Sequence, residues 1–78
     1  MTLKTKTVTR TTTASGVFDC GLNVGDGMVF GVFVSGYRCL PIIGSHDNTH
    51  GWNAILMQDM QPMPNVRVTA TVYYIALS

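Results

Sequence analysis

The chain has 78 residues, of which 46% are hydrophobic and only 12% charged, with a formal net charge of +1. A single domain of this length buries a modest share of its unfolded surface and needs help from disulfides, a metal or other subunits, and a charged share about half the rough 25% of an ordinary soluble domain points to apolar surface buried against partners. Lys4, Lys6, Arg10, Arg38 and Arg67 form no dense basic patch, and no apolar run approaches the roughly eighteen residues of a membrane span, so nucleic-acid binding and membrane insertion are excluded as expectations.

In chain order, the opening Met-Thr-Leu-Lys-Thr-Lys-Thr lacks the apolar core of a signal peptide, so nothing predicts export. Residues 1–13 are Thr-rich, with Thr5, Thr7, Thr9, Thr11 and Thr13 on one alternating face. Threonine favours strands, yet neither face is apolar enough to anchor a strand in a lone core. The reading is an edge strand or pairing arm, or alternatively a disordered leader, ahead of a domain over residues 14–78.

Asp26-Gly27 is a strong turn signal, which predicts that residues 16–24 pair with the following strand as a hairpin. Residues 27–37 (Gly-Met-Val-Phe-Gly-Val-Phe-Val-Ser-Gly-Tyr) are apolar on both alternating faces. Met28, Phe30, Val32 and Val34 are expected on one side and Val29, Phe33 and Tyr37 on the other. One small core cannot cover both sides, so the second is assigned to another subunit. Gly31 and Gly36, each costing a helix about 1 kcal/mol relative to Ala, oppose a helical alternative.

Residues 38–43 predict a short strand whose Pro41 prefers an edge. Residues 52–60 carry Ile55, Leu56 and Met60 at spacings that suit a helix, but Gly51, Pro62, Pro64 and the surrounding strands favour a strand. After a loop at residues 62–65, the last segment has the sharpest period of two. Val66, Val68, Ala70, Val72 and Tyr74 fall on one face and Arg67, Thr69, Thr71 and Tyr73 on the other, as in a half-buried strand.

The stretch Gly44-Ser-His-Asp-Asn-Thr-His-Gly-Trp52 holds two histidines four residues apart. Its turn-forming residues predict a loop. A zinc site would need further ligands and, for a zincin, a Glu where Asp47 stands, so no metal or cofactor is expected. No nucleophile–base constellation appears, and four acidic residues give little acid–base chemistry, so no enzyme is expected. The loop's chemistry is recognition, with His46, Asp47, Asn48, His50 and Trp52 as contact residues; Trp52 as a core residue is the competing reading. Cys20 and Cys39 match neither a zinc nor a redox spacing and are expected as free, partly buried thiols, with a single internal disulfide, which would need an oxidising compartment, as the alternative.

Taken in order, the turn, Gly-Met-Val-Phe-Gly-Val-Phe-Val, Gly-Tyr, Leu-Pro-Ile-Ile, Gly-Trp-Asn-Ala, Met-Pro-Asn and Val-Thr-Ala-Thr-Val-Tyr-Tyr-Ile-Ala resemble the C-terminal β-sandwich knobs of bacteriophage tail-fibre and receptor-binding proteins over roughly residues 14–78. The resemblance implies a homotrimer on the virion tail that binds a glycan or protein of the bacterial surface. The expectation is therefore an all-β, small antiparallel β-sandwich, trimeric, with Val29, Phe30, Phe33, Tyr73 and Tyr74 at the subunit interface or in the core. The alternative is a small free-standing oligomeric phage protein that inhibits a host defence factor or sequesters a small-molecule signal.

Overall fold

The computed structural model describes residues 1–46 and 49–77, and at 45, 46, 49 and 50 the backbone alone. The described chain is nearly all strand: β1 (Thr2–Thr11), β2 (Val17–Asn23), β3 (Gly27–Phe33), β4 (Arg38–His46), β5 (Thr49–Gln58), β6 (Gln61–Pro62) and β7 (Arg67–Ala76), with one 3₁₀ turn, Val24–Asp26. They form two antiparallel sheets packed face to face. Sheet A has the order β1-β7-β3, and sheet B the order β2-β5-β4 with β6 also paired to β5.

The period-two pattern of β7 sets the layer between the sheets. Val68, Ala70 and Val72 face inward and are buried, together with Val8 of β1 and Val29 of β3. Sheet B answers with Phe18, Cys20 and Leu22 of β2 and Trp52, Ala54 and Leu56 of β5. Tyr74 packs half-buried against this core. Small residues on the two central strands, with Ala54 and Ala70 both at 0% exposure, let the sheets approach while Phe18 and Trp52 fill the width.

The Thr-rich segment is the edge strand β1, paired with β7 over ten rungs from Thr2↔Ala76 to Thr11↔Arg67. Cross-strand hydrogen bonding, with Val8 as its single buried apolar side chain, holds it in place. The chain then crosses to sheet B at Thr12, whose buried hydroxyl donates to the Met63 carbonyl at 2.7 Å and accepts from the Val66 amide at 2.9 Å. Both bonds tie the crossing to the one that leads into β7.

Two expectations need correction. The Asp-Gly turn does not close a hairpin: β2 pairs with β5, and the 3₁₀ turn carries the chain from sheet B to sheet A. Asp26 accepts from the Asn23 amide at 3.0 Å, which stabilises that turn instead. Crossing there requires Gly27, because a Cβ at this position would collide with the Ile75 carbonyl oxygen.

The faces of β3 also differ from strict alternation. The register shifts between Val29 and Gly31, so Phe30 sits in a bulge and the phase reverses after it. Met28, Phe30 and Phe33 therefore share the outer face, at 59%, 52% and 58% exposure, while Val29 and Val34 are buried. Elsewhere, Pro41 lies on the edge strand β4, and residues 52–58 belong to the central strand β5. The β5–β6 connection turns at Asp59 and Met60, both with left-handed φ (52° and 65°).

Candidate functional site

Most of the predicted 44–52 loop is paired backbone. Rungs run Ile43↔Trp52, Gly44↔Gly51, Ser45↔His50 and His46↔Thr49, so β4 and β5 pair as an antiparallel hairpin through the rung His46↔Thr49. The neighbouring strand β2 stops at the rung Asn23↔Gly51. The hairpin thus continues for two rungs past the end of β2 as a two-stranded finger. The register sets His46 opposite Thr49 and His50 opposite Ser45, so the histidines are not cross-strand partners.

The base of the finger is firmly set. Trp52 is buried, and its indole N–H donates to the Gly27 carbonyl at 2.9 Å, joining β5 to the start of β3. Its ring belongs to the core and is unavailable to a ligand at the tip. Asn53, the next residue, is also buried at 3%. Of the other predicted contact residues, Asp47 and Asn48 lie outside the described residues, and His46 and His50 have their backbones in β4 and β5.

A second surface emerges from the register of sheet A. Alternation puts Leu3, Thr5, Thr7, Thr9 and Thr11 of β1 on the outer face, opposite Ile75, Tyr73, Thr71, Thr69 and Arg67 of β7. Met28, Phe30 and Phe33 of β3 complete it, with the Phe30 and Tyr73 rings 6.3 Å apart and tilted by 45°. Thr9 and Thr69 hydroxyls meet at 3.2 Å. The face is apolar along β3 and hydroxylated along β1, and its one charged residue is Arg67 at the end.

Lys4, Lys6 and Arg10 have the opposite parity and line the open side between the sheets. Lys6 Nζ donates to the Gly21 carbonyl at 2.6 Å, spanning from β1 to β2. Gly21 sits in the bulge of β2 with φ 76°, and the Lys6 and Arg10 side chains occupy the space where its Cβ would point. Of the predicted interface or core set, Val29 is buried, Tyr74 half-buried, and Phe30, Phe33 and Tyr73 exposed.

Both cysteines are free. Cys20 on β2 and Cys39 on β4 are separated by β5 in one sheet. Two strand spacings put their Cα atoms at least about 9 Å apart, beyond the roughly 7 Å limit for a disulfide. Burial, reinforced by the nearby Asp19 carboxylate, pushes the Cys20 thiol up to about 12. Burial also raises Cys39, with the Val34 backbone partly offsetting it. Neither thiol has the electropositive setting of a nucleophile. Among the described residues, no three His, Cys, Asp or Glu side chains group as metal donors.

Three further structural residues, Thr12, Lys6 and Gly21, escaped the sequence reading. Each acts through a partner at least fifteen residues away, and no local pattern marks such a pairing. No protein-family model, curated protein or solved structure matches the chain significantly.

Proposed function

We propose that this chain is a non-enzymatic attachment module: a self-associating, trimeric β-sandwich of the kind found at bacteriophage tail-fibre tips, which presents the β4–β5 finger to a glycan or protein of the bacterial surface. The observation that carries this reading is the finger itself. Its ladder extends two rungs beyond β2 from a base locked by Trp52. Binding residues are commonly held on projecting segments over a rigid scaffold. The segment Ser45-His-Asp-Asn-Thr-His50 offers donors, acceptors and imidazoles and no apolar side chain.

The paired substitution Asn48→Ala with His50→Ala tests the reading. A fluorescently labelled wild-type chain is expected to stain a subset of a bacterial panel or a glycan array. The double variant should lose that staining while keeping its far-UV circular dichroism and its mass in solution. Staining that survives the double substitution would move the contact away from the finger and withdraw the proposal.

A further inference from the structure

We infer that the outer face of sheet A is the surface through which copies of this chain associate, the β3 side of the face supplying the apolar contact. The inference deepens the self-assembly part of the reading above and is independent of what the finger binds.

Charge supports a copy of the same chain as the occupant. Association of identical chains brings identical surfaces into proximity, so a surface rich in one sign of charge would repel its own copy. Five of the ten β1–β7 pairs turn their side chains to the outer face of sheet A, and Arg67 in the last of them is the one charged residue there. Lys4, Lys6 and Arg10 are kept off it by parity, and Lys6 is tied to Gly21. A partner of different chemistry, such as an acidic or basic protein, finds almost no charge here to pair with.

Exposed apolar surface points the same way and separates the two sheets. Leu3, Met28, Phe30, Phe33 and Tyr73 on sheet A are 72%, 59%, 52%, 58% and 38% exposed. The outer face of sheet B, with Val17, Leu40, Ile42, Ile55 and Met57, has only Leu40 as an exposed large hydrophobic, at 55%, and it carries Asp19 and Arg38. With rings that each bury about 200 Å², the uncovered parts of Phe30, Phe33 and Tyr73 alone amount to roughly 300 Å². Adding Leu3, Met28 and the exposed β1 threonines brings the face to the order of the ~800 Å² per partner that a specific interface buries. Its apolar part, the three rings with Leu3 and Met28, is at the upper end of what a lone soluble chain exposes.

The test measures mass in solution by light scattering and sedimentation over a concentration series, using the full chain. Wild type is expected to be an assembly. Thr7→Glu, at the middle of the face opposite Thr71, and Phe30→Lys, on its apolar side, should each raise the concentration of half-assembly by about tenfold or more by placing like charges against each other. Leu40→Lys on sheet B should leave it unchanged. Circular dichroism identifies the folded variants to be compared, and Thr7→Glu, on an exposed edge-strand position, keeps the comparison possible if Phe30→Lys does not fold. A single-chain mass for wild type at every concentration overturns the inference. So does dissociation by Leu40→Lys with Thr7→Glu still assembled. A dimeric mass with the expected variant pattern sustains this face as the interface and removes only the threefold arrangement. Loss of bacterial staining without loss of assembly bears on the finger alone.

Discussion

Trp52 on β5 and Gly27 at the start of β3 are joined by a 2.9 Å hydrogen bond from indole N–H to carbonyl, which ties the base of the finger to the opposite sheet. The same bond links β5, one strand of the finger, to β3, the strand that carries the exposed Phe30 and Phe33 rings. Changing either residue therefore tests whether the two surfaces share one rigid frame.

Trp52→Phe removes the indole donor and leaves the Gly27 carbonyl without it in a buried setting. The expected loss is about 1–3 kcal/mol of unfolding free energy, read from urea denaturation followed by circular dichroism. Because Trp52 is the single tryptophan, wild-type fluorescence should be blue-shifted in the native state and move to the red in the same transition. A water-like emission in the folded protein would contradict its burial.

Thr12→Val keeps the shape of the crossing between the sheets but strips the hydroxyl that bonds Met63 and Val66. With both backbone partners left unmet, the expected cost is about 1–3 kcal/mol. Thr12→Ser, which retains the hydroxyl, should recover most of it. Equal losses in the two variants would assign the effect to the methyl group.

At neutral pH a thiol reagent should modify Cys39 slowly and Cys20 only after unfolding, since burial raises both and Cys20 is fully enclosed. The linkage has a definite sign. A folded value near 12 against 9.0 for the free thiol means that the native state retains the Cys20 proton longer than the unfolded chain. The stability linked to this thiol is thus fully present below about pH 9, declines as pH rises above it and is gone near pH 12. A denaturation midpoint that rises across that alkaline range would contradict the assignment. Mass spectrometry under mild oxidant should find no intrachain bridge.

Met60→Gly is expected to stabilise the fold by about 0.5–1 kcal/mol. Met60 is 93% exposed with φ 65° in the turn from β5 to β6, so it contributes little packing while holding a backbone conformation that disfavours a side chain by roughly 1–2 kcal/mol. Glycine adopts that conformation freely, at some entropic cost in the unfolded chain. Thermal denaturation of the pair of proteins reads the difference.

Much of this architecture is legible in the sequence where a single strand's own pattern decides it. The alternation of β7 gives its buried and exposed faces residue by residue, and Pro41 marks β4 as an edge. Legibility fails where a distant partner decides. The bulge at Phe30 reverses the apolar phase of β3, and nothing in Val-Phe-Gly-Val distinguishes that from regular alternation. The Asp-Gly signal marks a change of direction correctly but not its destination, because a 3₁₀ turn places β2 beside β5 instead. Turn-forming residues around the histidines likewise read as a long loop, whereas cross-strand pairing of Gly44 with Gly51 and Ser45 with His50 draws most of them into a ladder. Trp52 is an aromatic beside polar residues in the sequence, and only the position of Gly27 shows that its ring turns inward.

Among the described residues, each of the four outer strands β1, β2, β3 and β4 carries an obstacle to another strand. β1 has Lys4, Lys6 and Arg10 turned toward the gap, β2 and β3 are bulged, and β4 has a proline without an amide proton. Such features block lateral zipping of one molecule onto the next. Were copies to meet through the outer face of sheet A, as inferred above, these outer strands would still offer a further chain no clean edge to pair with, so growth by strand addition would stop there.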